Sequence, residues 1–337
     1  MIARYALTIA ALFAFVLTGM SGLIVVPFLH KLHYGQTIKE IGPTWHKNKQ
    51  GTPTMGGICF IFGSTLGLGL AWLYLSMKQS DLMGNHEAFN VVLALSAAWL
   101  FGLVGFVDDY IKVVKKRNLG LKVMQKIVLQ VAITLLFLYG LHLNGVLTSA
   151  VVLPIVGFVD LGILFYPIAF LLIIFMVNAV NLTDGIDGLA CSVTFVVMVF
   201  FTVTGTLWSA QDRQGLFPAA LAGGLAAFFV YNHHPAKVFM GDTGSLFLGG
   251  AVAALAFAMD MPLILILVGI IYIAETMSDI IQVTYFKATH GKRLFKMSPI
   301  HHHCEMCGWS EVKICTVFGL ITAIGGGIGL ALVAFGL

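Results

Sequence analysis

Charged residues are scarce in this chain of 337 residues. Asp, Glu, Lys and Arg make up 10% of it, whereas soluble domains average about 25%. Apolar residues make up 59%. This balance excludes an ordinary soluble protein, and the connectors between the apolar runs are too short to form a soluble domain. We therefore interpret residues 1–337 as a single polytopic membrane domain.

The five cysteines are also too few and too scattered for a disulfide framework. Cys59 and Cys191 fall within apolar runs, and Cys304 and Cys307 fall in a connector that the charge pattern assigns to the reducing side of the membrane. A zinc site at Cys304 and Cys307 is an alternative, although no second cysteine pair accompanies them. The motif Gly-x-x-x-x-Gly-Lys-Ser/Thr is missing, which excludes a P-loop as the phosphate-binding device.

Long apolar runs are abundant. A run of about 20 apolar residues crosses a bilayer as a helix, and we predict ten such spans with both termini on the same side. The first run is long and has no cleavage-like site of small residues, so we expect it to be retained. The ten predicted spans are roughly 2–29, 56–76, 88–107, 123–141, 163–180, 188–207, 217–232, 243–260, 262–284 and 312–335.

Basic residues are concentrated in alternate connectors. On the other side we find only Arg4, Lys78 and Arg213. The positive-inside rule then predicts that the basic face is cytoplasmic and that both termini lie outside. The basic connectors lie near 30–55, 108–126, 181–187, 233–242 and 285–311. Lys313 lies just beyond the last connector and is counted on the same face. The connectors themselves contain Lys31, Lys39, Lys47, Lys49, Lys112, Lys115, Lys116, Arg117, Lys122, Lys126, Lys237, Lys287, Lys292, Arg293 and Lys296.

Carboxylates mark the ends of several apolar runs on the same predicted face. Asp108 and Asp109 end the third run, and Asp242 lies between glycine and threonine just before the eighth. A solvated helix end or a helix cap is the structural alternative at each position. An acidic pair is unfavourable at a helix C-terminus, however, and Mg²⁺ commonly binds one or two carboxylates plus substrate phosphate oxygens. These residues are candidate catalytic and metal-binding groups.

Three further motifs face the same predicted boundary. Polar side chains recur every third residue from Asn178 to Asp187, which places them on one helix face. The stretch 46–57 combines lysines with threonines and glycines and suits a phosphate, or serves only as a positively charged anchor. The stretch 297–305 contains three adjacent histidines, which suit hydrogen bonding to phosphate or proton transfer.

Five stretches, in this order along the whole chain, resemble the phospho-N-acetylmuramoyl-pentapeptide transferase family. This family belongs to the polyprenyl-phosphate N-acetylhexosamine-1-phosphate transferase superfamily. The Asp-Asp and Asn-x-x-Asp motifs are shared by the superfamily, whereas the first and last stretches are more particular to the peptidoglycan branch. Cys304 departs from the pattern, in which an aromatic residue is expected. The stretches are GTPTMGG (51–57), FVDD (106–109), NLTDGIDG (181–188), FMGDTGSL (239–246) and SPIHHH (298–303).

The resemblance implies a fold, a reaction and a set of site residues. The fold would be an all-α integral membrane protein with about ten transmembrane helices and a cytoplasmic cleft, in the bacterial inner membrane. The reaction would join UDP-MurNAc-pentapeptide to undecaprenyl phosphate with Mg²⁺, giving lipid I and UMP. A homodimer and no nucleic-acid partner are expected.

By the same resemblance, residues take individual roles at motif-matched positions. Asp108 would be the base that deprotonates the lipid phosphate, Asp109 would lie beside it, and Asp242 would hold Mg²⁺. His301 and His302 would assist at the diphosphate. The expected substrate-binding residues are Lys49, Thr52, Thr54, Lys126, Asn178, Asn181, Asp184, Asp187, Asn232, Phe239, Gln282 and His303.

Three alternatives stay open at this point. The lipid phosphate attacks directly, or the reaction passes through a covalent aspartyl-phosphate on Asp108 or Asp109. A second alternative is that the donor is UDP-GlcNAc or a related sugar, although the triple-histidine connector argues against it. The third alternative is that the chain is a secondary transporter. For a transporter we would expect ionisable residues near mid-membrane and broken helices in matched halves.

Overall fold

The computed structural model describes residues 2–31, 49, 51–78, 86–115, 119–153, 157–208 and 213–335. Part of the first basic motif, residues 46–48 and 50, lies outside the described residues, as do Lys39, Lys116 and Arg117. The described ranges form twelve α-helices and one antiparallel pair of strands. Their bounds are α1 Ile2–Lys31, α2 Gly57–Lys78, α3 His86–Val114, α4 Val123–Leu143, β1 Ala150–Leu153, β2 Gly157–Asp160, α5 Phe165–Thr183, α6 Leu189–Trp208, α7 Leu216–Asn232, α8 Gly241–Ala258, α9 Leu265–Val268, α10 Ile270–Ala288, α11 Ile300–Met306 and α12 Glu311–Ala334.

The helices match the predicted membrane spans closely. Every one of the ten predicted segments contains a helix. In the described part of the chain, eight helices are long and apolar enough to cross a membrane, and there are nine if α9 and α10 count as one bent span. α7 is apolar but has only 17 residues. The prediction of a helical membrane protein is confirmed, whereas the count of ten and the side of the termini stay predictions.

The ninth predicted span, 262–284, needs correction because it is not one continuous helix. The segments Pro262–Val268 and Ile270–Ala288 meet at an angle of 80°. Gly269 ends α9, and its N–H donates to the carbonyl of Leu265 at 2.9 Å. A Cβ at Gly269 would lie 2.5 Å from that carbonyl oxygen, so glycine fits the break. Apolar residues continue across the break, which is why hydropathy predicted a single span.

A short hairpin between α4 and α5 was not predicted. Ala150 on β1 pairs with Asp160 on β2, and the register ends with Leu153 opposite Gly157. Asp160 secures the end of the hairpin, because its Oδ1 accepts from the Ser149 hydroxyl at 2.5 Å and from the Gly162 N–H at 2.8 Å. The hairpin adds a small amount of strand to an otherwise helical chain.

α8 is the central helix of the bundle. In α8, 89% of the residues are buried. In the most apolar stretches of α1 and α12 the buried share is only 28%. It packs chiefly against α3 and α5. Gly105 on α3 permits the closest approach, because any Cβ there would collide with the backbone carbonyl of Asp242. The C-terminal part of α3 and the first turn of α8 are thereby brought together.

Candidate functional site

Three aspartates and two lysines from three helices form one cluster, called here the triple-aspartate cluster. Lys112 Nζ lies 2.6 Å from Asp108 Oδ2 and 3.1 Å from Asp242 Oδ2. Lys126 Nζ lies 3.1 Å and 2.7 Å from the same two oxygens. Asp109 Oδ1 is 3.7 Å from Lys112 Nζ. The predicted residues Asp108, Asp109, Asp242 and Lys126 therefore come together, and Lys112 joins them.

The two adjacent aspartates are engaged differently, since neighbouring residues of a helix point about 100° apart. Asp109 Oδ2 accepts from the backbone N–H of Thr243 at 2.9 Å and from its hydroxyl at 2.8 Å. Asp109 thus ties the end of α3 to the first turn of α8. Asp108 Oδ1 accepts from the backbone N–H of Leu121 at 2.6 Å, while its Oδ2 faces both lysines. Asp108 therefore keeps one oxygen toward the centre of the cluster.

Asn181 and Asp184 extend the cluster to the end of α5. Asn181 Nδ2 donates to Asp242 Oδ1 at 3.1 Å and to the hydroxyl of Ser245 at 2.7 Å. Asp184 follows the last residue of α5. Burial, and then the negative charges of Asp242, Asp109 and Asp187, raise the pKa of Asp184 to about 8. At neutral pH the protonated form of this carboxyl is therefore favoured.

The donor chemistry of the triple-aspartate cluster fits Mg²⁺. Carboxylate oxygens of Asp108, Asp109 and Asp242 all lie within 4.8 Å of one another. Mg²⁺ is a hard cation that prefers such oxygens and usually completes its shell with water and phosphate. Three carboxylates against two ammonium groups leave one excess negative charge. Asp242 has the most exposed side chain of the three, at 20%, so it is the carboxylate most open to an arriving ion.

A second cluster, called here the Lys49 cluster, contains Lys49, Asp187, His234 and Glu311. Lys49 Nζ lies 2.7 Å from Asp187 Oδ1 and 2.6 Å from Glu311 Oε2. His234 Nδ1 lies 3.1 Å from Asp187 Oδ2. Two predicted substrate-binding residues, Lys49 and Asp187, are thus bonded to each other. Their carboxylates and the imidazole make this the second set of residues with metal-ligand geometry, but an ammonium group already occupies it.

The triple-histidine segment places its first two side chains in different pairs. His301 Nδ1 lies 2.9 Å from Glu275 Oε2 on α10, and both residues are fully buried. His302 Nδ1 lies 2.6 Å from Glu305 Oε2. The other edge of the His301 ring lies against Gly185, where a Cβ would collide with Nε2. Within the described chain, His301 Nε2 is buried without a hydrogen-bond partner, so it is an unsatisfied donor or acceptor beside the turn that follows Asp184.

The segment before α2 pairs with the segment before α8. The N–H of Phe239 donates to the carbonyl of Pro53, and the N–H of Gly56 donates to the carbonyl of Phe239, both at 2.9 Å. Gly241 adopts φ +71°, and a Cβ there would lie 2.5 Å from both Thr54 Oγ1 and Asp109 Oδ2. The predicted residues Thr54 and Phe239 therefore lie next to the triple-aspartate cluster.

In the part of the chain that the structure describes, the other predicted substrate residues do not bond to the side chains of either cluster. Asn232 Nδ2 donates to the carbonyl of Val238, and the Thr52 N–H donates to the carbonyl of Lys49. Their bonds shape the two paired segments. The remaining three contact neither cluster through any hydrogen bond in the described chain: Asn178 pairs with Gln130 on α4, Gln282 bonds the backbone of Leu294 and Phe295, and the ring of His303 accepts from the Lys296 N–H.

Sequence reasoning missed four polar partners. Lys112 was interpreted only as part of a basic run, although its spacing of four from Asp108 and three from Asp109 places it on their helix face. Glu275 falls within the ninth predicted span, and no local spacing connects it with His301. Glu311 and His234 contact residues far away in sequence, so no local spacing indicated them.

Two family models match parts of this chain. Residues 91–260 match the family described as Glycosyl transferase family 4, and residues 49–61 match the phospho-N-acetylmuramoyl-pentapeptide-transferase signature 1. The second match begins at Lys49 and runs into α2. The first contains all five residues of the triple-aspartate cluster.

Relatives named phospho-N-acetylmuramoyl-pentapeptide-transferase cover almost the whole chain. One from Clostridium botulinum (strain Alaska E43 / Type E3) is 46% identical over 316 residues, 94% of this chain and 93% of the relative. One from Acetivibrio thermocellus is 45% identical, over 92% and 90%. One from Thermoanaerobacter sp. (strain X514) is 44% identical, over 94% and 95%. The predicted resemblance is confirmed: the chain belongs to the phospho-N-acetylmuramoyl-pentapeptide-transferase family and is a bacterial membrane phosphosugar transferase of peptidoglycan synthesis.

Proposed function

We propose that this enzyme transfers phospho-MurNAc-pentapeptide from UDP-MurNAc-pentapeptide to undecaprenyl phosphate, giving lipid I and UMP, and that the transfer needs Mg²⁺. The observation that carries the proposal is the triple-aspartate cluster. Its three carboxylates and two ammonium groups converge at the ends of apolar helices, where a lipid-anchored phosphate and a soluble diphosphate meet. The resemblance in the family motifs supplies the identity of the two substrates.

The chemistry joins two anions, so their repulsion is the main obstacle. An oxygen of the lipid phosphate forms a bond to the sugar-linked phosphorus, and the bond between that phosphorus and the UMP oxygen breaks. Lys112 and Lys126 offset charge on the phosphates, and Asp108 accepts the proton of the lipid phosphate. Asp242 would hold Mg²⁺, which when bound would supply further charge neutralisation for the diphosphate and the leaving UMP.

We favour direct attack by the lipid phosphate over a covalent aspartyl-phosphate. Asp109 Oδ2 already accepts two hydrogen bonds from Thr243, and Asp108 Oδ1 accepts one from Leu121. Either carboxylate would have to give up its bonds or its lysine contacts to act as a nucleophile. A phosphosugar–enzyme adduct trapped from donor alone, without lipid acceptor, would overturn direct attack.

The other residues take supporting roles in this proposal. His301, whose Nε2 is buried and unsatisfied beside Gly185, and His302 assist at the diphosphate. Asn181 orients Asp242 through its amide. The nucleoside and sugar part of the donor is bound by Lys49, Thr52, Thr54, Asn178, Asp184, Asp187, Asn232, Phe239, Gln282 and His303.

The proposed orientation follows from charge. Sixteen of the 19 lysines and arginines lie on one predicted face, and the same face would carry both clusters. The active site then faces the cytoplasm of the bacterial plasma membrane. There it meets a water-soluble nucleotide donor, while the acceptor stays in the bilayer.

The test is UMP release by purified protein in detergent with undecaprenyl phosphate. UDP-MurNAc-pentapeptide and UDP-GlcNAc are compared as donors, each with Mg²⁺ and with EDTA. We expect UMP from the muramoyl donor alone and none in EDTA. Release from UDP-GlcNAc instead would contradict the donor, release in EDTA would contradict the metal, and no release from either donor would contradict the reaction.

A further inference from the structure

Glu311 is the first residue of α12, and its environment is unusual for an acidic residue in a first helical turn. Such residues normally remain solvated and stabilise the helix through its dipole. Glu311 is only 8% exposed. Ser310 caps the helix by accepting from the Lys313 N–H, which fixes where α12 begins. The Glu311 side chain therefore does not cap the helix, and it points toward another part of the bundle.

A single oxygen of Glu311 bonds two groups of the Lys49 cluster. Its Oε2 accepts from Lys49 Nζ at 2.6 Å and from the backbone N–H of Asp187 at 2.9 Å. Its Oε1 lies 3.5 Å from His234 Nδ1. Lys49 is 262 positions away in the chain and precedes α2. Glu311 therefore joins the last helix to the segment that matches the family signature.

Asp187 completes the same network from the turn between α5 and α6. Its Oδ1 accepts from Lys49 Nζ at 2.7 Å. Its Oδ2 accepts from the Ala236 N–H at 3.0 Å and lies 3.1 Å from His234 Nδ1. Four segments that are distant in sequence are thus held around one ammonium group. Loss of Glu311 would remove an acceptor from both Lys49 and the backbone of Asp187.

The contacts of Lys49 leave it partly available. An ammonium group has three N–H donors, and the two carboxylates use two of them. The side chain is 15% exposed, whereas Asp187 is 2% exposed. A flexible lysine held in this way has already lost most of its rotamer freedom before a ligand arrives, which favours binding. Among the described residues the third donor has no hydrogen-bond partner, and the two ion pairs fix its direction.

We infer that Glu311 is a positioning residue for the nucleotide-sugar donor, acting through Lys49 and the Asp187 turn. The inference rests on the proposed function, in which Lys49 and Asp187 contact that donor. Glu311 itself touches no reacting atom. Its loss should weaken donor binding and leave the affinity for the lipid acceptor unchanged.

The test measures equilibrium binding of UDP-MurNAc-pentapeptide by calorimetry, without acceptor, to wild type, Glu311→Gln and Lys49→Met. We expect Glu311→Gln to raise the donor Kd about 10-fold, because a buried charged partner is lost. The KM for undecaprenyl phosphate should stay within about twofold of wild type. In the double variant the two losses should be less than additive, because both changes act in part through one ammonium group.

Two controls separate positioning from general damage. Lys313→Met changes charge in the same turn of α12, where Lys313 lies over the Trp309 ring, and should leave the donor Kd unchanged. If Glu311→Gln is poorly folded, the donor Kd is measured instead for Glu311→Asp, alone and combined with Lys49→Met. Additive effects in the double variant, or a donor Kd unchanged in Glu311→Gln, would overturn the inference alone. Failure of wild type to bind the donor would overturn the proposed function and this inference together.

Discussion

Lys112 Nζ lies 2.6 Å from Oδ2 of Asp108, one helical turn earlier on α3. The same nitrogen lies 3.1 Å from Asp242 Oδ2 on α8. One lysine therefore links the proposed base to the proposed metal ligand. Its ammonium group occupies space between carboxylates that a divalent cation would also use, so charge neutralisation by Lys112 and by Mg²⁺ are coupled.

Replacing Lys112 with methionine is expected to separate these two effects. Lys112→Met should lower kcat about 10²-fold, because one cation that stabilises the phosphates is lost. It should also lower the Mg²⁺ concentration that gives half-maximal activity, because three carboxylates then face one ammonium group. Both are measured by UMP release during a Mg²⁺ titration.

Lys115→Met is the matched control for that variant. Lys115 is exposed and lies one turn further along the same basic stretch. Its removal should leave both kcat and the Mg²⁺ requirement within about twofold of wild type. Equal effects of the two substitutions would mean that general surface charge, and not the cluster, sets the rate.

Asp242→Asn is expected to lower activity at least about 10³-fold while leaving the fold intact, because an amide replaces the most exposed carboxylate of the cluster. Mg²⁺ should raise the thermal unfolding temperature of wild type but not of this variant. Asp260→Asn, just beyond the other end of α8, should behave as wild type in both measurements. Near-normal turnover of Asp242→Asn would remove the metal assignment.

The fold was predictable where burial in lipid dominates. Each apolar run predicted a helix because a lipid-exposed backbone must satisfy its hydrogen bonds within the helix. The bend at Gly269 was not predictable, since the break depends on local packing and leaves hydropathy unchanged. The β1–β2 hairpin was missed for a similar reason: two strands of four residues each give little periodic signal.

The site was predictable where charged residues lie at the ends of apolar helices. Asp108, Asp109 and Asp242 stood out because carboxylates at the ends of apolar helices are unfavourable without partners. Their shared location followed from the predicted topology. Glu311 gave no such signal, because an acidic residue after Ser310 at a helix start is ordinary. Only its contacts with Lys49 and Asp187 distinguish it.

Glu275→Gln is expected to test the buried pair on α10 and α11. The Glu275 carboxylate holds Nδ1 of His301 and leaves Nε2 facing Gly185. An amide can present either its oxygen or its nitrogen to Nδ1, so the ring loses a fixed orientation. We expect kcat to fall about 10-fold, with the donor KM nearly unchanged.

A double-variant cycle checks that Glu275 acts through His301. In the His301→Ala background, Glu275→Gln should produce no further loss of kcat. Thermal unfolding of each variant is measured in parallel. A full additional 10-fold loss in the double variant would show that Glu275 acts on the reaction by another route.

The raised pKa of Asp184 predicts a pH-dependent stability. The pKa rises from 3.8 to about 8 through burial and then the charges of Asp242, Asp109 and Asp187. The folded protein therefore binds this proton more tightly than the unfolded chain does. Stability from this group is complete below about pH 4, falls as the pH rises toward about 8, and is constant above that.

Asp184→Asn removes this dependence, because its amide does not ionise. In EDTA, the unfolding temperature of the variant should match wild type near pH 4 and exceed it by a margin that grows up to about pH 8. Asp160→Asn is the control: hydrogen bonds from Ser149 and Gly162 lower the pKa of this hairpin carboxyl. Asp160 is therefore ionised throughout the range from pH 5 to about 9, and its variant should differ from wild type by a constant amount. A flat difference for Asp184→Asn as well would mean that Asp184 is ionised in the folded protein and that its place beside the triple-aspartate cluster does not hold a proton.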